Sequence, residues 1–103
     1  MILIYSTFKD KISAQKLAKG LLEDSLAACI NLIPQMTSMY KWDGKIEEES
    51  EVVMLVKTTL DKEKSVISYI EKNHPYECPA IFSLASKDVS KPYAAWLSET
   101  LTV

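Results

Sequence analysis

One histidine, two cysteines and one run of acids are the residues best equipped for chemistry in this chain. His74 offers an imidazole, which suits copper, zinc and nickel. It stands just before Pro75 at the expected end of a helix, where it could instead cap carbonyls and sit favourably at the negative end of the dipole. The run Glu47-Glu48-Glu49-Ser50-Glu51 offers carboxylates, which suit calcium, magnesium or manganese better than copper. Glu47 and Glu48 are its candidate ligands. The plainer reading is a solvated strand arm whose like charges oppose edge-to-edge pairing. Cys29 and Cys78 form no CxxC or CxxH spacing, so no zinc framework is indicated. Both have apolar neighbours and are expected to be small buried hydrophobes. Three residues separate His74 from Cys78. Four extended steps span roughly 13 Å, so the pair could share an ion only across a tight turn.

A second group is polar rather than metal-seeking. Lys57 and Thr59 end a strand, and with Tyr76 and Glu77 they could line a cleft for a small anionic ligand. Tyr40, Trp42, Tyr76, Tyr93 and Trp96 are expected in the core or at a subunit seam, since Tyr and Trp suit places that are apolar at one end and wet at the other. Catalysis has little support. The chain has only Gly20 and Gly44, no glycine-rich phosphate loop, no HExxH and no Ser-His-Asp order. A Cys29–His74 nucleophile pair is formally available, but the expected role is non-enzymatic.

The elements that must position these groups follow from periodicity and punctuation. Ile2–Thr7 is a short apolar run, expected as a buried strand. Asp10 or Ser13 can cap a helix in which Ala14, Leu17, Ala18, Leu21 and Leu22 share one face. Gly20 inside it costs about 1 kcal/mol relative to alanine and suggests close approach of the helix to the sheet. Leu26–Ile33 predicts a strand, with a bend or bulge at Pro34. Met36–Trp42 alternates, Asp43-Gly44 is a hairpin-turn signal, and Ile46–Val56 returns. Each arm exceeds the usual strand length of about five or six residues, so the hairpin should project and need cover. Val52–Val56 is apolar throughout, as expected of a strand covered on both faces. Asp61 is expected to cap a second helix running through Lys72, ended by His74-Pro75. Cys78–Ala85 predicts a fourth strand. Ser90 and Pro92 mark a last helix with Tyr93, Trp96, Leu97 and Thr100 on its inner face.

The order βαββαβα predicts an α+β fold, the ferredoxin-like βαββαβ sandwich with an extra C-terminal helix and a long β2–β3 hairpin, over one domain, residues 1–103. Right-handed crossovers place both main helices on one sheet face. The bare face and the long hairpin both point to self-association. At 103 residues, 48% hydrophobic and 25% charged, the chain suits one core. A net charge of −2 with no cationic patch argues against a nucleic-acid partner. No apolar run approaches the roughly 20 residues of a membrane span, so no membrane insertion is expected. The N-terminus lacks a basic leader segment and looks like the first strand of a cytoplasmic protein.

Five pieces, in this order and spacing, resemble one family: Leu26–Pro34 (LAACINLIP), Ser38–Val52 (SMYKWDGKIEEESEV), Lys57–Thr59 (KTT), His74–Ile81 (HPYECPAI) and the Tyr93/Trp96 pair. From Ile2 to Leu101 the chain is similar to CutA, the divalent-cation tolerance family. The resemblance implies a homotrimer with the hairpin reaching to neighbouring subunits, Tyr40 and Trp42 at the trimer interface, and architectural kinship with PII signalling trimers. It also implies copper or another divalent cation as a ligand, with no obligatory cofactor. Some relatives carry a cysteine at the end of strand one and a histidine before His74. Ser6 and Asn73 stand there in this chain, which weakens a soft copper site. The alternatives are a PII-like signalling trimer that binds a small anionic ligand between subunits, and a scaffold for a protein partner.

Overall fold

A computed structural model describes residues 1–102. The elements run β1 (Ile2–Phe8), α1 (Lys11–Glu23), β2 (Cys29–Trp42), β3 (Lys45–Thr58), a short 3-10 turn (Leu60–Lys62), α2 (Glu63–Asn73), β4 (Ile81–Ala85) and α3 (Lys91–Leu101). Four antiparallel strands lie in the order β2-β3-β1-β4. This is the expected ferredoxin-like α+β arrangement with a terminal helix added.

The pleat sorts the sheet into two faces. Ile2, Ile4, Ser6 and Phe8 of β1 pair with Thr58, Val56, Met54 and Val52 of β3, and all are buried against the helices. Ala14, Leu17, Ala18 and Leu21 of α1, with Val66 and Ile70 of α2, complete this core. Val52–Val56 is buried apart from a half-buried Leu55. The opposite face carries Leu3, Tyr5, Leu55, Phe82 and Leu84, with Phe82 48% and Leu84 55% exposed. That face is not wholly bare. Lys57 lies on it, its ammonium 5.5 Å above the Tyr93 ring of α3, and Leu97 and Leu101 pack on Ala28 and Met1 beside it.

Helix ends show which local signals were obeyed. Asp10 caps α1, accepting from the Ser13 amide at 2.7 Å. At the other end, Ser25 takes φ 55 and Leu26 N–H donates to the Leu21 carbonyl, a Schellman closure without glycine. Leu26–Ala28 is therefore spent on this turn, and β2 begins at Cys29 rather than Leu26. Asp61 does not cap α2. The chain enters that helix through the 3-10 turn, the N-cap is Lys62, and no side chain bonds to the first amides. Leu22 is 42% exposed, outside the buried stripe of Ala14, Leu17, Ala18 and Leu21 that was expected to include it. Gly20 serves a different neighbour from the one expected: a Cβ there would collide with the Tyr69 hydroxyl of α2, so the close approach is helix to helix.

The hairpin is 14 residues on each arm. Asp43 (φ 49) and Gly44 (φ 76) supply the two positive φ values of a type I′ turn. Pro34 sits in a β-bulge between Ile33 and Met36, with Gln35 at φ 61. Residues 41–50 are all exposed, and the described chain extends 47 Å along its longest axis.

Candidate functional site

The site begins where α2 stops. Proline disfavours helical backbone in the residue before it, and His74 is accordingly extended (φ −75, ψ 138). This turns its ring off the helix and onto β1. The ring stacks on Phe8 with centroids 4.2 Å apart. Nε2 lies 2.8 Å from the Thr7 carbonyl oxygen, which can only accept, so Nε2 carries the proton. Nδ1 then accepts the Tyr76 amide at 3.0 Å. Burial lowers the His74 pKa from its ordinary value, with the Thr7 carbonyl and the Glu51 charge acting the other way. The neutral ring fastens the segment after α2 to the sheet. It does not cap the carbonyls of its own helix.

That fastening sets Tyr76 over the hairpin. Its hydroxyl donates to Glu51 Oε2 at 2.8 Å, and Ser38 Oγ donates to Glu51 Oε1 at 2.6 Å. Burial, and then the bond to Glu51, raise the Tyr76 phenol well above its usual pKa. Glu51 is only 8% exposed, unlike the four residues before it. In front of this pair opens a cleft of about 740 Å³, walled by Tyr5, Tyr40, Trp42 and Tyr76 with Glu49 and Glu77 among its linings.

The sequence-predicted residues divide between two ends of the sheet. Tyr76 and Glu77 line the cleft, whereas Lys57 pairs with Leu3 and Cys29 at the far end, followed by Thr59. Six strand steps separate Glu51 from Lys57, roughly 20 Å. The four residues expected to make an anion cleft are thus not brought together within one chain. Glu47 shares the face of Glu49 and Glu51, Glu48 faces the other way beside Met39, and both are exposed. His74 lies behind Tyr76 with both ring nitrogens engaged, so a metal there would have to displace the Tyr76 amide. Among the described residues, no group of three or more His, Cys, Asp or Glu side chains is placed to hold a metal ion.

The cysteines differ from expectation. Cys29 is half-buried and Cys78 exposed, because β4 starts only at Ile81 and leaves Cys78 in the bend. Cys29 pairs with Lys57, and the Cys29–His74 nucleophile pair is not assembled. Trp96 is 44% exposed, stacked on Tyr93 at 5.6 Å rather than facing inward. Glu51 is the buried residue of the candidate site that composition concealed. One signal was present: it is the last acid before Val52–Val56, where the strand turns from solvated to buried.

Sheet order, paired helices and projecting hairpin define a ferredoxin-like α+β protein with a cleft at the hairpin base. The sequence model of the family described as CutA1 divalent ion tolerance protein matches residues 2–100. Divalent-cation tolerance protein CutA of Yersinia pestis (strain Pestoides F) is 41% identical over 100 residues, 97% of this chain and 84% of that protein. The crystal structure of the Ehrlichia chaffeensis divalent ion tolerance protein CutA1 matches with a TM-score of 0.95 at 28% identity, over 99% of this chain and 95% of that one. CutA1 from Pyrococcus horikoshii matches at 0.91 and 41% identity, over 97% of each chain. A CutA from Archaeoglobus fulgidus, described as a periplasmic divalent cation tolerance protein, matches at 0.91 and 36% identity over 98% of this chain and 99% of that one. The chain belongs to the CutA1 divalent ion tolerance family.

Proposed function

We propose that the protein acts in divalent-cation tolerance as a non-enzymatic homotrimer that binds copper or another divalent metal ion at modest affinity. Family membership supports the tolerance role. The observation that carries the assembly is the exposed apolar set on hairpin and sheet: Ile33 49%, Met39 64%, Trp42 65%, Ile46 74%, Phe82 48% and Leu84 55% exposed. Ile33, Trp42, Phe82 and Leu84 share one sheet face and Met39 and Ile46 the other, and a monomer rarely leaves so much apolar surface in water. In this reading Tyr40 and Trp42 form the seam, where large buried aromatics dominate interface energetics.

Metal binding then belongs to the assembly. Glu47 and Glu48 present free carboxylates near the projecting tip, and copies meeting around an axis would multiply them. His74 contributes only by giving up the Tyr76 amide. No described helix is long and apolar enough to cross a membrane. An exposed free thiol at Cys78 suits a reducing compartment, and we place the protein in the cytoplasm. Cell fractionation tests that placement, and recovery with periplasmic markers overturns it.

Light scattering of the unmodified chain tests the trimer. A monomeric mass refutes it, and Tyr40→Ala with Trp42→Ala should shift a trimer toward smaller species. Copper titration against a competing chelator tests the metal. Unchanged affinity in both His74→Ala and a triple Glu47→Gln, Glu48→Gln, Glu49→Gln variant refutes these ligands, and no binding at all refutes metal uptake.

A further inference from the structure

The helix layer carries a second hollow, on the opposite side of the sheet from Phe82 and Leu84. The start of α1 lies beside the end of α2, and between them is a space of about 300 Å³ lined by Ser13, Lys16, Leu17, Tyr69, Asn73 and Pro75. Its walls are fixed from within the chain. Leu17 belongs to the core. Tyr69 reaches across to α1 because Gly20 leaves room for its hydroxyl. Glycine inside a helix is unfavourable, so helix stability is given up to lay this ring across the gap. Pro75 is held by its neighbour His74, whose ring is engaged at both nitrogens.

Lys16 is the cation of this space, and no acid lines it. Beyond the Tyr69 ring, Lys64 and Lys72 line a neighbouring hollow with Ser65 and Ser68, again without an acid. The acids of these helices are placed elsewhere. Asp10 accepts from the Ser13 amide at 2.7 Å and stands between Lys9 and Lys11 in sequence. Glu63 accepts from the Ser83 hydroxyl of β4 at 2.7 Å. Glu23 and Glu71 are exposed and outside both linings, with Lys19 one helical turn before Glu23. The positive end of the α1 dipole and the negative end of the α2 dipole oppose each other here, so side chains decide the sign. Asn73 Nδ2 donates to the Tyr69 carbonyl at 2.8 Å, which covers one helix-end carbonyl that would repel an anion.

We propose that this hollow binds a small phosphate monoester, its apolar part laid on Leu17, Tyr69 and Pro75 and its phosphate at Lys16. Asn73, in the same lining, retains its second N–H for the phosphate oxygens. Ligand sites of about 300–1,000 Å³ join apolar walls to a few polar groups in this way. The chain has no arginine, so no guanidinium fork is present to hold a carboxylate by two bonds. Lysine binds phosphate as a point charge, and a dianion gains more than a monoanion from the field of Lys64 and Lys72. Tyr40 and Trp42 lie on the sheet face turned away from the helices. A trimer sealed through that face and the hairpin leaves the hollow in water, one in each copy.

Amide NMR of the native protein reads the site directly, at constant ionic strength and about pH 8, where a monoester with its second pKa near roughly 6 is a dianion. Phenyl phosphate should shift the amides of Lys16, Leu17, Tyr69 and Asn73 saturably. Phenol, benzoate and inorganic phosphate should each need about tenfold more, since each lacks the second charge or the apolar part. Lys16→Gln should raise the half-saturating concentration about tenfold. Lys19→Gln, exposed on the same helix and outside the lining, should change it by less than about twofold. No saturable shift at these four amides overturns the proposal. So does phenol or benzoate that saturates as readily as phenyl phosphate. Equal weakening by the two lysine variants also overturns it, because the attraction would then be diffuse. Copper titration and light scattering read the metal and trimer claims separately, so each can fail without the other.

Discussion

Strand β3 lives in two environments. From Val52 to Thr58 it lies between β1 and β2, with Met54, Val56 and Thr58 fully buried. From Lys45 to Ser50 it has only β2 beside it, and every residue is exposed. β2 pairs with both halves and breaks register only at the Pro34 bulge between them, so loss of pairing is not what leaves the tip exposed. The difference is burial: the base is covered by α1 and α2, and the tip by nothing in its own chain. Glu51 marks the change, the one acid of its run drawn under cover. A fold can therefore be stable at one end of a strand while the other end is left as surface for use elsewhere.

The largest effect should come from the base. Met54→Ala removes a fully buried side chain and should cost about 2–5 kcal/mol in urea unfolding. Ile46→Ala, 74% exposed at the tip, should stay within about 0.5 kcal/mol for the isolated chain. A tip substitution that costs as much as a core one, with a concentration-dependent midpoint, would break the contrast and show the tip buried in an assembly.

The junction comes next. Glu51→Ala leaves the Ser38 and Tyr76 hydroxyls without their acceptor and should cost about 1–3 kcal/mol. Tyr76→Phe removes one of the same bonds, so the two losses should not add in a double-mutant cycle. Strict additivity would mean the Tyr76–Glu51 bond contributes nothing to the fold.

Much of this was legible in the sequence where one local rule decided the outcome. Asp43-Gly44 demanded a type I′ turn, Pro34 a bulge, Pro75 the end of α2, and the apolar run Val52–Val56 a buried strand. Where tertiary context competed, local reading failed. Asp61 is a good capping residue, yet the 3-10 turn carries the chain past it. Cys78 has apolar neighbours in sequence, but β4 begins three residues later. Of the candidate site, Tyr76 and Glu77 were found as residues but assigned the wrong companions. Lys57 and Thr59 lie at the other end of the sheet, and periodicity says nothing about which ends of two strands meet.

The two glycines give a matched pair of tests, one in each region. Gly20→Ala places a methyl group against Tyr69 and should cost about 1–3 kcal/mol, despite the helix preference for alanine. Tyr69→Ala should abolish that penalty, and a penalty that survives would mean the contact is not its cause. Gly44→Ala meets no neighbouring atom, so its cost is the left-handed backbone alone, about 1–2 kcal/mol.

The smallest effect is a pH dependence confined to the base. His74 is the chain's only histidine, and burial holds its folded pKa below the ordinary value of 6.5. Between those two values the unfolded chain binds a proton that the folded chain does not. The resulting stability is complete above about pH 6.5 and is lost as pH falls from there through the folded pKa. Protonating Nδ1 also removes the acceptor for the Tyr76 amide, so the loss should register first in the segment from Pro75 to Ala80. Urea unfolding between pH 5 and 8 should show this slope in the native sequence and lose it in His74→Gln. Amide exchange at Tyr76 should quicken over the same window while Ile46 and its neighbours at the tip stay unchanged. Equal slopes in the two proteins would mean that the ring is not held neutral by burial, and that base and tip differ in packing alone.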